Sequence, residues 1–478
     1  MPVTCKCGQV WFRTAVACLS ILGSAVCTCI LVLEASCLPG RPGVEQSATA
    51  VPGAEKLTIF LTGHELSALK PCGCSGGQLG GLDRRWAVLN SIPKQTRLIV
   101  DTGSFVKTDS DQDLIKFRIV VEAFKLLNYD VINLTDNDIR IATNLSLLDE
   151  ISSAFSAISV SGNGNLHLPA QTAKKFSLAD GIVVVTIAAF DGDANQMGGL
   201  SNLFPVHPGA QAVNILVVNK SSQVFLSAIA ENAPSIDCVI CPSDYDEPLA
   251  LGETGKAPIV FSVGRFGRYV CKLEVSIQPT AKPDPTAIAY CTRLGHTISL
   301  FAVPVAENLP KAEPLVDLYK RYQELVKEGN FLEKYLRLPL PDDKEEYLGS
   351  YSCKACHEYE FEKWSAEPHT KAYATLEKIG SQYDPECVVC HVVGMDYKTG
   401  FVTVEKTAHL KDVGCESCHG PSAEHIRTCG KIKTGQPKSA CLYCHTPERS
   451  PTYVGNEKVF LEKIVHWKEP NAVGNVKK

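Results

Sequence analysis

The sequence predicts two chemically different parts in one chain: an α/β domain over residues 56–278 and a mostly α-helical module over residues 347–478. Two observations carry this. In the first part, short runs rich in β-branched residues, several of them almost continuously apolar, alternate with amphipathic patterns of helical period, as buried strands joined by helices do. In the second, one five-residue pattern occurs four times: Cys353-Lys354-Ala355-Cys356-His357, Cys387-Val388-Val389-Cys390-His391, Cys415-Glu416-Ser417-Cys418-His419 and Cys441-Leu442-Tyr443-Cys444-His445.

Each copy has the spacing of a c-type haem attachment site. The two thiols can form thioethers to the two vinyl groups of one porphyrin, and the adjoining His then lies under the ring as an axial iron ligand. Four copies imply four covalently bound haems. The alternative, a pair of zinc ribbons, uses Cys-x-x-Cys knuckles but has no need of a His at the same offset in every copy. Of the twelve His in the chain, eight lie after residue 345, and four of these stand outside the motifs: His369, His409, His425 and His466. Four irons with four spare imidazoles suggest bis-histidine ligation throughout. Met395 is the one methionine in this region, so a set of high-potential His/Met sites is ruled out and low potentials are expected. A module this short must borrow much of its core from the porphyrins. Their edges then lie close together, as in a short wire.

The residues around the motifs carry a family resemblance over 347–466. Tyr347-Leu348-Gly349-Ser350, Trp364 with Glu367-Pro368-His369 and Ala372-Tyr373, Tyr383-Asp384-Pro385-Glu386-Cys387, Val413-Gly414-Cys415 through Gly420-Pro421, and Lys463-Ile464-Val465-His466 resemble the multihaem cytochrome c-554 family. The resemblance implies electron transfer with redox partner proteins or quinol-linked donors. It places His369, His425 and His466 where relatives supply distal ligands. The position of His409 varies in that family, which leaves open a five-coordinate haem able to bind a small molecule.

With 45% hydrophobic and 21% charged residues the chain has ordinary globular composition, and its 478 residues leave room for about two or three domains. A net charge of -5 and pI near 6.2 give no basis for a nucleic-acid partner or an anionic membrane surface. Haem is attached outside the cytoplasm in bacteria, so the motifs demand export, and residues 1–37 supply a signal. Lys6 and Arg13 precede an uncharged run from Thr14 to Leu33, closed by Glu34. At about 1.5 Å per residue that run spans a hydrocarbon core of about 30 Å. It reads either as a signal peptide cleaved near Ala35 or as an N-terminal anchor over 14–33; Glu34 argues against lipidation at Cys37. Either way the chain lies in the bacterial periplasm or on the outer cell surface, with membrane contact only through this segment. Residues 38–55 read as a tether.

Strands are expected at Leu57–Thr62, Arg97–Asp101, Asp130–Leu134, Phe155–Val160, Gly181–Ala188, Val213–Val218 and Ile236–Cys241, with a helix over Asp113–Leu127. Residues 56–278 resemble the metallophosphoesterase domain of 5'-nucleotidases through Leu57–Thr62, Gly80-Gly81-Leu82-Asp83-Arg84-Arg85, Val100-Asp101-Thr102-Gly103-Ser104 and the Pro258–Phe261 and Gly267–Glu274 segments. The resemblance makes the expected fold an α/β metallophosphoesterase-like sandwich followed by a haem-packed helical module. That family's chemistry uses two divalent ions and an activated bridging water. Its ligand positions here hold His64 and Leu66, Ser104, Thr135-Asp136-Asn137-Asp138, Asn219 and Pro242-Ser243-Asp244-Tyr245. A dinuclear site of the usual kind therefore cannot assemble. An altered one-metal site would draw on His64, Asp101, Asp136 and Asp138.

Cysteine replaces the lost ligands on the rim of this domain. Cys72 and Cys74 sit in the loop after the first strand and are candidates for a redox or metal-binding thiol site; the alternative is a structural disulfide to Cys238, Cys241, Cys271 or Cys291. Cys238 and Cys241 have redox-pair spacing, yet residues three apart in a strand face opposite sides. Residues 279–346 read as a linker: Pro279, Pro283 and Pro285 break the strand pattern, a strand-like run spans Thr297–Pro304, and Pro314 opens an amphipathic helix ended by Gly329-Asn330 that braces the two parts. Three function classes remain: an electron carrier, which the intact motifs favour; a redox enzyme using an open haem or the Cys72/Cys74 site; and a phosphoester hydrolase with an attached cytochrome.

Overall fold

The computed structural model describes residues 55–466 except 72–75, 161–167, 233–234, 243, 278–283, 294, 438–439, 448 and 451. The expected signal or anchor (1–37), nearly all of the tether, and Cys72 and Cys74 lie outside the described residues. Among the described residues no helix is long and apolar enough to cross a membrane.

Among the described residues thirteen strands run in chain order: β1 (Lys56–Thr62), β2 (Arg97–Asp101), β3 (Val131–Asn133), β4 (Ser156–Ile158), β5 (Gln171–Leu178), β6 (Gly181–Phe190), β7 (Gln211–Val218), β8 (Cys238–Cys241), β9 (Leu249–Ala250), β10 (Ile259–Ser262), β11 (Tyr269–Ser276), β12 (Ala289–Arg293) and β13 (His296–Pro304). Helices α1 (Leu82–Leu89), α2 (Asp111–Leu126), α3 (Asp136–Asn144), α4 (Leu148–Ala154), α5 (Gln223–Asn232) and α6 (Glu313–Gly329) accompany them. The strands form a seven-stranded sheet, β12-β13-β11-β1-β2-β3-β4, and a six-stranded sheet, β5-β6-β7-β8-β10-β9.

The period-two alternation of a strand sorts each apolar run onto two faces. Leu57, Ile59 and Leu61 of β1 meet Val183, Val185 and Ile187 of β6 and Ile215 and Val217 of β7 in a core between the sheets. Phe60 and Ile99 point the other way, into a layer with Phe117, Val120 and Phe124 of α2 and Leu315, Leu318, Tyr322 and Val326 of α6. Leu216, Val239 and Val260 of the second sheet cover Phe225 and Ile229 of α5. The central strands β1, β2, β7 and β8 are buried on both faces, which is why their sequences read as nearly continuous apolar runs. The result is the expected α/β sandwich, with helices outside both sheets.

Two expectations are corrected. The Pro-rich break at 279–285 does not end the domain, because β13 pairs antiparallel with β11 from Tyr269↔Pro304 to Ser276↔Thr297, and β12 pairs with β13. The sheet therefore takes in residues that read as linker. In addition, Cys238, Cys241, Cys271 and Cys291 are all free, buried thiols, not disulfide partners. Cys238 points into the inter-sheet core and Cys241 into the α5 layer, the divergence that strand geometry predicts.

The Cys-rich part is built from short helices, among them Glu358–Ser365, Ala372–Ile379, Pro385–Val388, Cys415–His419, Ala423–Arg427, Cys441–Cys444 and Glu457–Ile464. Its apolar cluster is small, centred on Tyr347, Tyr373, Leu376, Val388, Met395, Phe401 and Leu410. Helix α6 joins it to the sandwich. Pro314 stands in its first turn and Asn330 closes it in the left-handed conformation, an N-terminal Pro and a left-handed C-terminal cap. Its inner face is in the sandwich core. From its flank Gln323 donates to the Ile379 carbonyl at 2.7 Å and to Ser381 at 3.0 Å, and Tyr322 donates to Asp384 at 2.8 Å.

Candidate functional site

The third and fourth motifs lie on single helical turns, the Pro385–Val388 turn leads into the second, and in the first the His357 amide donates to the Cys353 carbonyl at 3.0 Å. On such a turn residues i, i+3 and i+4 share one face. Both thiols and the following imidazole of each motif are thereby turned to one side. Neighbouring motifs stand with their sulfurs together: Cys353 lies beside Cys415, Cys390 beside Cys444, and Cys418 beside Cys441.

The motif turns are pinned by polar groups between them. The buried Glu416 carboxylate accepts the Leu348 and Gly349 amides at 3.0 and 2.7 Å and the Ser422 hydroxyl at 2.6 Å. Ser350 Oγ accepts the Cys415 amide at 3.0 Å, and Trp364 Nε1 donates to the Val413 carbonyl at 3.0 Å. A cleft opens between the first and third motifs, lined by Cys353, His357, Trp364, His369, Cys415 and His466 among others.

The histidines meet in opposed pairs. His357 faces His425 with ring centroids 6.0 Å apart, His419 faces His466 at 6.3 Å, and His369 faces His445 at 6.4 Å. Each pair joins a motif His to one of the four outside the motifs. An imidazole–metal–imidazole axis with metal–nitrogen bonds of about 2 Å puts ring centroids about 6 Å apart, so the spacing suits an iron between them.

The protonation of these rings also fits. Nδ1 lies 2.6 Å from the Ala372 carbonyl in His391, 3.2 Å from Gly435 in His419, 2.8 Å from Ile432 in His425 and 3.0 Å from Ile464 in His466. A carbonyl only accepts, so Nδ1 carries the proton and Nε2 presents its lone pair, the arrangement a metal-bound imidazole needs. Burial lowers the pKa of His369, His391, His419 and His445, which favours the neutral, ligating form. The residues present fit c-type haem.

His409 behaves differently. Among the described residues it is not opposed to a second histidine ring, and its backbone packs against Gly349 (φ 80), where a Cβ would come 2.5 Å from the His409 carbonyl oxygen.

In the sandwich, the strand-end residues are spent on structure. Asp138 Oδ2 accepts the Ser104 amide at 2.8 Å and the Thr135 hydroxyl at 2.6 Å, and its Oδ1 accepts the Phe105 amide at 3.0 Å. This carboxylate caps α3 and holds the 103–105 turn, while Asp136 in the first turn of α3 is exposed. Asp101 accepts Thr62 Oγ1 at 2.6 Å and the Gly103 amide at 2.8 Å. His64 is partly buried in the left-handed conformation (φ 51), its Nδ1 without a hydrogen bond. Among the described residues no group of three or more His, Cys, Asp or Glu side chains is assembled that could hold a metal. His64, Asp101, Asp136 and Asp138 are therefore not brought together as the one-metal site would need.

An unforeseen network stands beside them. Arg85 and Glu65, both 0% exposed in their side chains, form an ion pair at 2.6 Å. Arg85 also donates to Tyr129 at 3.1 Å; Tyr129 meets Thr62 at 2.8 Å, and Thr62 bonds Asp101. Burial, then the Glu65 charge, pushes Asp101 up to about 7. In the sequence Arg85 stands beside Arg84 as an ordinary polar position, so no local signal announces this cluster.

Paired thiols on one face of a turn, an adjoining neutral imidazole and a second imidazole opposite are the parts of a c-type cytochrome. Residues 352–420 match the family model described as Cytochrome c554 and c-prime. The chain is 34% identical over 90 residues to cytochrome c-554 of Nitrosomonas europaea, a match covering 16% of this chain and 38% of that protein. A c-type cytochrome segment implies covalently attached haem. Solved structures similar to the chain include the 5'-nucleotidase precursor of Thermus thermophilus, at 12% identity and TM-score 0.38 over 59% of this chain and 61% of that one. The NAD nucleotidase of Haemophilus influenzae is similar at 13% identity and TM-score 0.42 over 75% of each chain.

Proposed function

We propose that this chain is an exported tetrahaem electron carrier of the bacterial periplasm or outer cell surface, working between redox partner proteins or quinol-linked donors. The observation that carries the reading is the three opposed His–His pairs, each set beside a thiol pair of attachment spacing.

Bound haem supplies a one-electron ferric/ferrous couple. The rest is the work of the chain. Cys353 and Cys356, Cys387 and Cys390, Cys415 and Cys418, and Cys441 and Cys444 would hold the porphyrins. His357, His391, His419 and His445 would bind iron on one side, and His425, His466 and His369 on the other side of the first, third and fourth sites. The backbone carbonyls at Ala372, Gly435, Ile432 and Ile464 keep four of these rings oriented. Side-by-side cysteines of different motifs bring the attachment points into a continuous array, as short-range electron hopping requires.

The test is mass spectrometry of the full chain matured with a haem-attachment system, joined to a redox-titrated optical and EPR spectrum. Four haem additions are expected, with low-spin, low-potential irons at the three sites that have an opposed histidine pair. A haem-free product, or one loaded with zinc, would overturn the reading. Redox catalysis at an open iron is the second reading, favoured by the placement of His409 away from any second histidine ring among the described residues.

A further inference from the structure

Side chains of α2 and α6 reach the turn that leads into the second motif. Asp384 and Glu386 flank Pro385 immediately before Cys387. Asp384 caps the Pro385–Val388 turn by accepting the Glu386 amide at 2.9 Å. That same carboxylate accepts Gln112 of α2 at 2.9 Å and Tyr322 of α6 at 2.8 Å, and Gln112 also bonds the Tyr322 hydroxyl at 2.8 Å. One turn along α2, Lys116 Nζ lies 2.6 Å from Glu386 and 4.0 Å from Asp113. The Lys116 side chain is 3% exposed and that of Glu386 56%.

A lysine so thoroughly buried in a domain's outer helix is unusual, and the core of the sandwich does not use it. It points across the junction. Its charge is little screened by salt and reaches the Cys387 sulfur: burial, then Asp384 and Glu386, push that thiol up, while Lys116 and then Arg449 pull it down.

We propose that Lys116, together with Glu386, sets the reduction potential of the haem attached at Cys387 and Cys390, so that the sandwich tunes one iron of the four. The inference rests on the tetrahaem reading. Reduction adds one negative charge at that site. A nearby buried cation favours the reduced state and a nearby carboxylate opposes it. Lys116 is here a positioning and electrostatic residue that touches neither iron nor porphyrin sulfur.

The experiment is a spectroelectrochemical titration of the full haem-loaded chain and its Lys116→Met, Lys116→Arg and Glu386→Gln variants, with haem counted by mass in each preparation. Lys116→Met should move one of the four reduction steps to lower potential, Glu386→Gln should move the same step upward, and Lys116→Arg should leave it close to the parent. A purely mechanical role would not produce opposite signs. Unchanged steps in both charge-removing variants, or a shift of the same sign in both, would overturn the proposal. If Lys116→Met does not mature, Glu386→Gln decides alone: an upward shift supports the proposal and no shift refutes it. Four haems with unmoved potentials count against this inference only, whereas a parent protein without haem counts against the cytochrome reading itself.

Discussion

His369 and His445 face one another with ring centroids 6.4 Å apart, although the second and third motifs lie between them in the chain. The fourth motif thus faces a histidine that lies just after the first, and the module closes on itself through that pair. His369→Ala, His425→Ala and His466→Ala should each turn one low-spin haem high-spin or open it to carbon monoxide, with the other three unaffected. His409→Ala should leave the low-spin count as in the parent. Optical and EPR spectra read both outcomes; loss of a low-spin iron in His409→Ala would place that residue on a metal.

Cys387→Ser with Cys390→Ser should lower the haem count by one. The remaining three attachment sites keep their own thiols, so the mass should fall by a single porphyrin. A loss of two or more would mean that the shared edges of Cys390 with Cys444 make neighbouring sites interdependent.

Phosphoester hydrolysis should stay at background. Asp138 is occupied by three backbone amides and a hydroxyl, and Asp136 points to solvent, so among the described residues the polarising ions and low-pKa water that supply several kcal/mol in such enzymes have no ligand set. Nucleotide monophosphates and an aryl phosphate, assayed with manganese, zinc or calcium, give the answer. Metal-dependent turnover abolished by both Asp101→Ala and Asp136→Ala would restore the hydrolase.

Removing Arg85 should be severe. Arg85→Met leaves the Glu65 carboxylate buried without its guanidinium, and breaking a buried pair in this way costs about 3–5 kcal/mol. Chemical unfolding followed by hydrogen exchange in β1 and β2 would measure it. A loss below about 1 kcal/mol, the value of a surface pair, would contradict the burial described.

Asp101 gives the sandwich a pH dependence of predictable sign. Its folded pKa, lifted to about 7, lies above the ordinary 3.8, so its contribution is fully present below about pH 4 and is lost as pH rises to about 7. Asp101→Asn keeps a polar group beside Thr62 and Gly103 but cannot ionise. The variant should therefore lose less stability between pH 5 and pH 8 than the parent, by the same exchange measurement.

Strands such as β2 and β6 were legible because parallel pairing buries both faces and leaves an uninterrupted apolar run. The edge strand β5, with Lys174, Lys175 and three other polar residues facing partly outward, lacked that signature and went unseen. β13 was read as part of a linker, and β12 went unseen, for another reason: the three prolines before them look like a domain boundary, and only the pairing of β13 with β11 reveals that the sheet continues. The Cys-x-x-Cys-His motifs and the spare histidines could be read residue by residue, since their spacing is local. Which His faces which, and the Arg85–Glu65 pair, depend on contacts across long stretches of chain that no local pattern encodes.

Helix α6 has one side in the sandwich core while Tyr322 and Gln323 hold the loop that leads into the second motif. A hinge at this junction would have to break both at once. The Cys-rich part is therefore not a detachable cartridge: in a fragment starting at residue 347 the turn that leads into Cys387 would lack the α2 and α6 side chains that shape it, and the α/β sandwich is the mould in which that turn is set.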